Sequence, residues 1–351
     1  MSTNLEDLLQ TTFQHQTIAT HKQTGTIHEN HTTIASLEVV LNDGTTLNIA
    51  AKTLPESPLF AVLQASLQKE INFYNIVAPT LQYFQEREDV DELYFLPASY
   101  GTNLSQSTIL LENLKCQGYE NVDERLNLGT TRQVLKDLAS FHAIPLALKL
   151  KDPKVFDTKV KRYLSKAVTL DYSQAVLKIV KIVEEESEFE SYLDRIKEKL
   201  EEVPEKALRA PFSTMIHSDC CLRNILVKNG DGTADIKLID FQHCSYGSLA
   251  DDLILFLYTS VQREVLEEHS NGLIEFYHSN LVRVLEECKC DPTPFSLDAL
   301  LKEMKTVTSE GQFVHVLSVL LSLFQTKDSD RLLLKDRILF VVKNFVERKW
   351  I

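Results

Sequence analysis

Residues 215–242 read MIHSDCCLRNILVKNGDGTADIKLIDFQ, and their pattern constrains the architecture more than any other part of the chain. Short apolar runs alternate with polar segments, and the Asn-Gly-Asp-Gly sequence between the last two runs is typical of a tight turn. The stretch is therefore predicted to hold short strands that end in polar residues. Asp219 and Asn224 precede this hairpin, and Asp240 follows its last strand. With His217, they give the spacing His-x-Asp-x-x-x-x-Asn, then a strand ending in Asp.

These oxygen-bearing side chains suit phosphate transfer. Moving a phosphoryl group to a hydroxyl requires a carboxylate that positions and deprotonates the hydroxyl, together with oxygen ligands that hold Mg²⁺ against the nucleotide phosphates. Asp219 is predicted to be the catalytic base, and Asn224 and Asp240 are predicted to be the magnesium ligands, with ATP as the nucleotide. An aspartate at a strand end is also a common turn or cap residue. The complete set in a hairpin context favours the catalytic interpretation.

A lysine and a glutamate earlier in the chain fit the same chemistry. Kinase-like sites use a lysine on a small-lobe strand to reach the phosphates, and a helix glutamate to hold that lysine. Lys52 lies on the third predicted strand and Glu70 on the next helix, both upstream of Asp219. Strand alternation puts Lys52 on the same face as Ala50, so its amine is expected to point inward. A solvated strand lysine is the alternative.

The first part of the chain has the period-two pattern of a small sheet. Apolar residues alternate over 37–51 on both sides of an Asn-Asp-Gly turn, which predicts a hairpin. Apolar positions over 60–74 recur at three- and four-residue spacing, which predicts a helix that Pro79 helps to end. Residues 93–96 and 108–111 are predicted to form two further strands.

Helical patterns dominate the rest of the chain. Apolar residues recur with a helical period over 126–142, 175–202, 261–287, 297–324 and 335–348. We therefore predict an α+β, two-lobed fold: a small antiparallel-sheet lobe at 1–113 and a large, mainly helical lobe at 114–351, with the ATP cleft between them. The length of 351 residues agrees, since a single core stops growing before that size.

The segment YGSLADDLILFLYTS at 246–260 predicts a further apolar helix with Asp252 near its start. Asp252 could accept hydrogen bonds from the backbone of the segment around Asp219. It could equally serve only as the N-terminal cap of the helix. The sequence leaves both roles open.

The charge of the chain argues against nucleic acid as a partner. The formal net charge is -13, and an acidic protein is repelled by a phosphodiester backbone unless basic residues are concentrated on one surface. The densest basic run, at 159–162, is short. The predicted partner is instead a small-molecule alcohol.

Cysteine usage and hydropathy indicate a cytoplasmic protein. The six cysteines have no spacing typical of a disulfide framework, so reduced thiols are expected. The opening MSTNLEDLLQ lacks the apolar segment of a secretion signal, and no apolar run approaches the roughly 18 residues that span a bilayer. We therefore predict no membrane insertion.

A soft-metal site is a further possibility. The residues that could converge on one are His217, Cys220, Cys221, His243 and Cys244. Adjacent Cys-Cys and His-Cys pairs lack the two- to four-residue gaps of structural zinc sites, which argues against it.

Seven blocks distributed over nearly the whole chain carry a family resemblance. They are KTLPESP, KEINFY, LLENLKCQGY, LASFHA, HSDCCLRNIL, LIDFQ and SYGSLADDLILFLYTS. In this order they resemble the ecdysteroid kinase-like family of the aminoglycoside phosphotransferase and choline kinase superfamily. The resemblance implies a protein-kinase-like two-lobed fold, MgATP as phosphate donor, and an alcohol of a small molecule or steroid as acceptor.

The resemblance also implies roles for particular residues. Lys52 and Glu70 resemble the phosphate lysine and its partner, and Asp219 resembles the base. Asn224 and Asp240 match the magnesium ligands of the family. The inter-lobe hinge, whose backbone would pair with adenine, corresponds to Leu111, Glu112, Asn113 and Leu114. His142 resembles a recurring histidine of the family and is interpreted as a packing residue.

The sequence departs from the family in three places. Ser218 replaces the usual glycine after the histidine, and Cys221 stands where an aromatic residue is common. The predicted phosphate-covering loop at 27–33 has no glycine, which makes a close approach of its backbone to the phosphates harder. The catalytic positions Asp219 and Asn224 are nevertheless kept.

Three functions are compatible with these features. The first is a kinase of a steroid-like or other lipophilic alcohol. The second is a kinase of choline or another amino alcohol, whose fixed cation would need aromatic or acidic residues around it. The third is a pseudoenzyme that binds nucleotide or a hydrophobic ligand without turnover.

Overall fold

A computed structural model gives the fold of this chain. It describes residues 9–10, 12–13, 18–29, 32–54, 60–90, 93–105, 107–122, 124–164, 171–201, 208–230, 234–323 and 330–351. Five strands form an antiparallel sheet: β1 (Ile18–Glu29), β2 (Thr32–Leu41), β3 (Thr46–Thr53), β4 (Ser99–Asn103) and β5 (Thr108–Glu112). Their order across the sheet is β1-β2-β3-β5-β4.

The hairpin of β2 and β3 is confirmed. Leu37 and Ile49 face each other on the buried side of the sheet, within a small apolar cluster of its own. The turn uses Gly44 at a φ of +87°, a conformation that glycine adopts without strain. The side chain of Asp43 accepts a hydrogen bond from the N–H of Thr45 at 2.8 Å, which closes the turn. Strand alternation puts Lys52 on the opposite side of the sheet from Ile49.

The helix after β3 is longer than predicted. α1 (Phe60–Asn72) runs through a π-helical turn, Phe73–Val77, into α2 (Ala78–Glu88). Pro79 therefore does not end the helix, because it follows directly on the π-helical turn, where the N–H of Ala78 already bonds the carbonyl five residues earlier, on Phe73. Buried residues of α1 and of the π-helical turn, including Phe73, pack in the core of the large lobe.

The predicted strand at 93–96 is wrong. These residues form a turn in which the N–H of Leu96 donates to the carbonyl of Leu93 at 3.2 Å, and the strand β4 begins later. Phe95 is fully buried. A short apolar run in a buried turn has the same composition as a core strand, so periodicity cannot separate the two.

Helices form most of the large lobe. They are α3 (Leu128–Lys151), α4 (Ser173–Glu184), α5 (Leu193–Glu201), α6 (Leu249–Ser260), α7 (Arg263–Glu287), α8 (Leu297–Val307), α9 (Phe313–Leu323) and α10 (Asp330–Glu347). Short helical turns lie at Leu114–Gln117, 153–163, Ser187–Tyr192, Leu222–Asn224, Phe241–His243 and Thr293–Phe295.

Two of the helices predicted as continuous are interrupted. The helix predicted at 175–202 is split by the 3-10 segment Ser187–Tyr192. The helix predicted at 297–324 is split by a π-helical turn, Thr308–Gln312, in which Gly311 has a φ of +115°. Glycine alone tolerates that backbone conformation easily, so the chain can change direction there.

Short strands interrupt the helices near 215, 225 and 236, as predicted, and with two strands that were not predicted, at 120–121 and 245–248, they form two small sheets. Their strands are β6 (Glu120–Asn121), β7 (Ser213–Ile216), β8 (Ile225–Asn229), β9 (Ala234–Leu238) and β10 (Ser245–Ser248). β7 pairs with β10, and β6, β8 and β9 form the other sheet. Asp231 and Gly232 of the predicted turn lie outside the described residues.

The predicted α+β, two-lobed architecture is confirmed. The sheet has its own apolar cluster, whereas a much larger cluster fills the helical lobe and includes side chains of α1. The division of the chain at residue 113 stays a prediction. Over the described ranges, no helix combines the length and the apolar character needed to cross a lipid bilayer.

Asp137 gives the fold a pH-dependent stability. Its carboxylate on α3 is 1% exposed, and burial raises its pKa to about 7, although Tyr94 donates a hydrogen bond to it at 2.7 Å. Because the folded pKa exceeds the unfolded value, the associated stability is present below about pH 4 and is lost as the pH rises through 7. Asp137→Asn stays neutral. We expect its free energy of unfolding, relative to wild type, to increase by about 3 kcal/mol between about pH 5 and pH 8.

Chemical denaturation of both proteins at the two pH values checks this expectation. The difference between variant and wild type isolates Asp137, since every other titrating group is shared. A difference that does not change with pH would mean that Asp137 is already ionised at about pH 5.

Candidate active site

The loop after β7 holds Asp219 in a fixed conformation. The backbone carbonyl of Asp219 accepts hydrogen bonds from the N–H of Cys221 and from Nδ2 of Asn224, both at 2.9 Å. The same Nδ2 donates to Oδ2 of Asp219 at 2.8 Å. Asp219 and Asn224, predicted from their spacing, are therefore in direct contact. Nδ2 of Asn224 is engaged by Asp219, whereas its Oδ1 accepts no hydrogen bond from the described residues.

Ser218 has a φ of +67°, in the left-handed region. A residue with a Cβ is strained there, which explains why glycine suits this position. Two hydrogen bonds hold the serine: its N–H donates to Oδ1 of Asp252 at 2.8 Å, and its hydroxyl pairs with that of Ser245 at 2.7 Å. The departure from the family glycine is thus accommodated by the surrounding polar groups.

Asp240 lies next to this loop at the end of β9. The N–H of Ile239 donates to the carbonyl of Asn224 at 3.1 Å, which joins the two strand ends. Asp240 has a φ of +68°, and its Oδ2 accepts a hydrogen bond from Gln242 at 2.9 Å. The next residue, Phe241, stacks on Phe73 with ring centroids 4.2 Å apart. Asp240 is therefore anchored both to the loop at 217–224, which carries the predicted base and is called the catalytic loop, and to the segment that follows α1.

Lys52 bridges the two lobes. Its Nζ is 2.7 Å from Oε2 of Glu70 and 2.8 Å from Oδ1 of Asp240. The side chain of Glu70 is 1% exposed, so the pair is removed from water. Burial alone would lower the pKa of Lys52, but the charges of Glu70 and Asp240 outweigh burial and raise it. Lys52 is therefore a permanent cation at this position.

The two carboxylates respond differently to the same lysine. Burial raises the pKa of Glu70 despite the opposing effect of Lys52. For Asp240, burial again favours the neutral form, but Lys52 outweighs it and lowers the pKa. Asp240 is 26% exposed and keeps access to solvent. The site thus combines a charged, partly open carboxylate with a buried one.

The predicted hinge lies at the end of β5. Leu111 pairs with Ala50 in the sheet, and the N–H of Asn113 donates to the carbonyl of Asn48 at 2.9 Å. The side chain of Glu112 accepts hydrogen bonds from the N–H of Ala98 at 3.0 Å and from Gln117 at 2.9 Å. Leu114 begins a 3-10 turn. The segment therefore runs directly from the sheet into the large lobe.

Asp252 contacts the catalytic loop, so the first of its two proposed roles is confirmed. Its carboxylate accepts hydrogen bonds from the N–H groups of His217, at 2.6 Å, and of Ser218, at 2.8 Å. The cap of α6 is instead Ser248, whose side chain accepts from the N–H of Ala250. Burial opposes the charge of Asp252, but the hydrogen bonds from the side chain of His142 and from the N–H of His217 outweigh it and lower the pKa.

A sequence profile of the ecdysteroid kinase-like family matches residues 33–290, more than half of the chain. The chain belongs to this family. The family resemblance of the sequence is thereby confirmed, and this ecdysteroid kinase-like chain is a phosphotransferase with an alcohol group as acceptor. The matched region contains Lys52, Glu70, Asp219, Asn224 and Asp240.

Solved structures of small-molecule kinases resemble the ecdysteroid kinase-like chain at low sequence identity. An ethanolamine kinase from Plasmodium vivax is 11% identical, with a TM-score of 0.43 over 94% of this chain and 84% of that chain. A microcompartment-associated aminopropanol kinase is also 11% identical, with a TM-score of 0.44 over 97% of both chains. No curated protein matches the sequence significantly.

Sequence reasoning missed Arg223 of this ecdysteroid kinase-like chain. Its guanidinium donates to Oδ1 of Asp219 at 2.9 Å and to the hydroxyl of Ser322, at the end of α9, at 3.3 Å. The i,i+4 spacing from Asp219 is the signal that could have found it. The side chain of Arg223 is 39% exposed, so its positive charge lies beside Asp219 in contact with solvent.

The cysteines near the site do not form a metal centre. All six cysteines of the ecdysteroid kinase-like chain are free, and Cys220, Cys221 and Cys244 are buried. Burial raises the pKa of all three thiols, which keeps the free thiols protonated. Among the described residues, no group of three or more His, Cys, Asp or Glu side chains could hold a metal ion.

The predicted phosphate-covering loop is described only at its edges. β1 ends at Glu29 and β2 begins at Thr32, with the His28 ring 3.0 Å from the hydroxyl of Thr33. Asn30 and His31 lie outside the described residues. The expectation about this glycine-free loop stays a prediction.

Proposed function

We propose that this protein transfers the γ-phosphate of ATP to a hydroxyl of an uncharged, lipophilic alcohol such as a steroid of the ecdysteroid type. The observation that carries the proposal is the bridge from Lys52 to Glu70 and Asp240, beside the contact between Asp219 and Asn224. It combines a cation, a carboxylate base and oxygen ligands within one cleft, which is the set that phosphoryl transfer requires.

ATP would bind between the sheet and the large lobe. Lys52 is the cation that would contact its phosphates, and Glu70 keeps the lysine in place. At the hinge, the N–H of Asn113 and that of Glu112 are used within the fold. Leu114 is the first residue of a helical turn, so its N–H has no acceptor within that turn. We therefore assign this N–H as the hydrogen-bond donor to the adenine ring.

Asn224 and Asp240 fit a magnesium ion. Oxygen ligands are what Mg²⁺ prefers, and it usually takes only one or two side chains together with phosphates and water. Nδ2 of Asn224 is occupied by Asp219, so its Oδ1 would face the metal. When bound, the ion would neutralise charge on the phosphates. Asp219 would hold the acceptor hydroxyl and take its proton.

Arg223 favours an uncharged acceptor over an amino alcohol. A fixed cation next to Asp219 would also lie next to the Arg223 guanidinium, and like charges at such distances repel strongly. Leu321 and Leu323, on either side of Ser322, pack partly against the core of the large lobe, so the preference rests on the charge of Arg223.

Two alcohols of equal shape test this preference: choline, and its neutral isostere in which carbon replaces the quaternary nitrogen. We expect wild type to phosphorylate the isostere with the higher kcat/KM. Arg223→Gln should shift the ratio toward choline about tenfold, because it removes the repulsion. Arg223→Lys keeps the charge and is the matched control, with an expected ratio close to wild type.

The measurement is magnesium-dependent formation of phosphorylated product by mass spectrometry. A wild-type preference for choline would support the amino-alcohol function instead. An unchanged ratio in Arg223→Gln would remove Arg223 as the cause.

The cell compartment is also a proposal. Six free cysteines, four of them buried, suit a reducing compartment such as the cytoplasm.

A further inference from the structure

A buried chain of hydrogen bonds connects α7 to the catalytic loop. The hydroxyl of Tyr277 on α7 is 2.7 Å from Nδ1 of His142 on α3. Nε2 of His142 is 3.2 Å from Oδ2 of Asp252 on α6. Asp252 in turn accepts from the N–H groups of His217 and Ser218. His142 and Tyr277 are fully buried, so water does not compete for these bonds.

The charge of Asp252 fixes the direction of these bonds. A buried carboxylate needs donors, so Nε2 of His142 must carry a hydrogen and donate it. Nδ1 of the neutral ring is then an acceptor, and the hydroxyl of Tyr277 donates to it. Tyr277 thereby selects the tautomer of His142 that can bond Asp252. Without the hydroxyl, Nδ1 would be a buried acceptor with no partner, and the other tautomer would compete.

The catalytic loop depends on what Asp252 contributes. Ser218 is held at a φ of +67°, which costs roughly 1 kcal/mol or more for a residue with a Cβ and persists only where neighbouring contacts enforce it. The two N–H groups bonded to Asp252 belong to the residues directly before Asp219. A shift of the Asp252 carboxylate would therefore weaken the hydrogen bonds that fix the backbone directly before Asp219.

We propose that Tyr277 and His142 are positioning residues, which act through Asp252 to hold the backbone of His217 and Ser218 and so orient Asp219. The effect on catalysis rests on the proposed function. The effect on the backbone of His217 and Ser218 is independent of it. The network joins three helices, α7, α3 and α6, to the short segment before Asp219.

Hydrogen exchange at the amides of His217 and Ser218 tests the proposal without substrate or nucleotide. Tyr277→Phe removes one hydroxyl and keeps the ring. We expect exchange of these two amides to accelerate about tenfold, which corresponds to loss of one hydrogen bond. The matched control is Tyr258→Phe: Tyr258 is a buried tyrosine on α6 whose hydroxyl bonds Asn344. It should destabilise the protein similarly and leave these amides unchanged relative to other core amides.

Kinetics supply the second measurement. Tyr277→Phe should lower kcat several-fold with an unchanged KM for ATP, since the loop and not the nucleotide site is altered. Equal exchange at His217 and Ser218 in the wild type, Tyr277→Phe and Tyr258→Phe would overturn the proposal. Accelerated exchange in a protein that phosphorylates no alcohol would support the positioning network and reject the proposed function alone.

Discussion

Asp219→Asn should lower kcat for alcohol phosphorylation by about 10²–10⁴-fold, the usual contribution of a general base. Asparagine keeps an oxygen for the hydrogen bond from Asn224 and loses the acceptor for Arg223, while the two hydrogen bonds to the backbone carbonyl of residue 219 should keep the loop in its conformation. It cannot take the proton of the acceptor hydroxyl. Asp219 does not contact Lys52, and the affinity for MgATP should therefore stay near the wild-type value.

The assay is magnesium-dependent ATP consumption over a panel of alcohols, with nucleotide affinity measured separately. Asp235→Asn is a suitable control, because Asp235 lies on β9, five residues before Asp240, and bonds Tyr119 rather than the site. If wild type and Asp219→Asn are equally inert while a ligand still binds, the protein is a pseudoenzyme.

Lys52→Met should lower both activity and stability. The buried Glu70, 1% exposed, would lose its cation, and breaking such a pair by removing one partner costs about 3–5 kcal/mol. Phosphate transfer should fall by about 10²–10³-fold, the usual effect of removing one group that stabilises the transition state. Chemical denaturation and initial-rate kinetics measure the two effects.

The double variant Lys52→Met with Glu70→Gln separates these effects. It leaves no charge at the buried position of Glu70, while Asp240 keeps its access to solvent, and we expect most of the lost stability to return, to within about 1–2 kcal/mol of wild type. Activity should stay low, because nothing replaces the cation at the phosphates. A double variant no more stable than Lys52→Met alone would show that Glu70 is not the source of the instability.

Local pattern was enough to predict the groups that face each other across the cleft. Asp219, Asn224 and Asp240 follow from polar residues at strand ends, and Lys52 and Glu70 from strand and helix order. Lys52 contacts Glu70 and Asp240, and Asp219 contacts Asn224, while the roles of these residues in catalysis stay predictions. The hairpin at 37–51 also followed from alternation, because one face of the sheet is buried and the other is not.

Long-range and packing effects could not be predicted in the same way. Residues 93–96 are apolar because a buried turn needs apolar side chains as much as a strand does. Pro79 was interpreted as a helix end, but the π-helical turn before it allows the helix to continue. His142 was interpreted as packing alone, since its partners Asp252 and Tyr277 are more than a hundred residues away.

The stack of Phe73 on Phe241 joins the two elements that carry the partners of Lys52. It packs the segment after α1 against the residue after Asp240, so the elements that carry Glu70 and Asp240 are in direct contact. The five-stranded sheet has its own apolar cluster, and Ile109 of β5 also packs in the core of the large lobe. A displacement of the sheet relative to these elements would therefore lengthen both ion pairs of Lys52 at once. The lysine thus links the position of the sheet to the positions of both carboxylates.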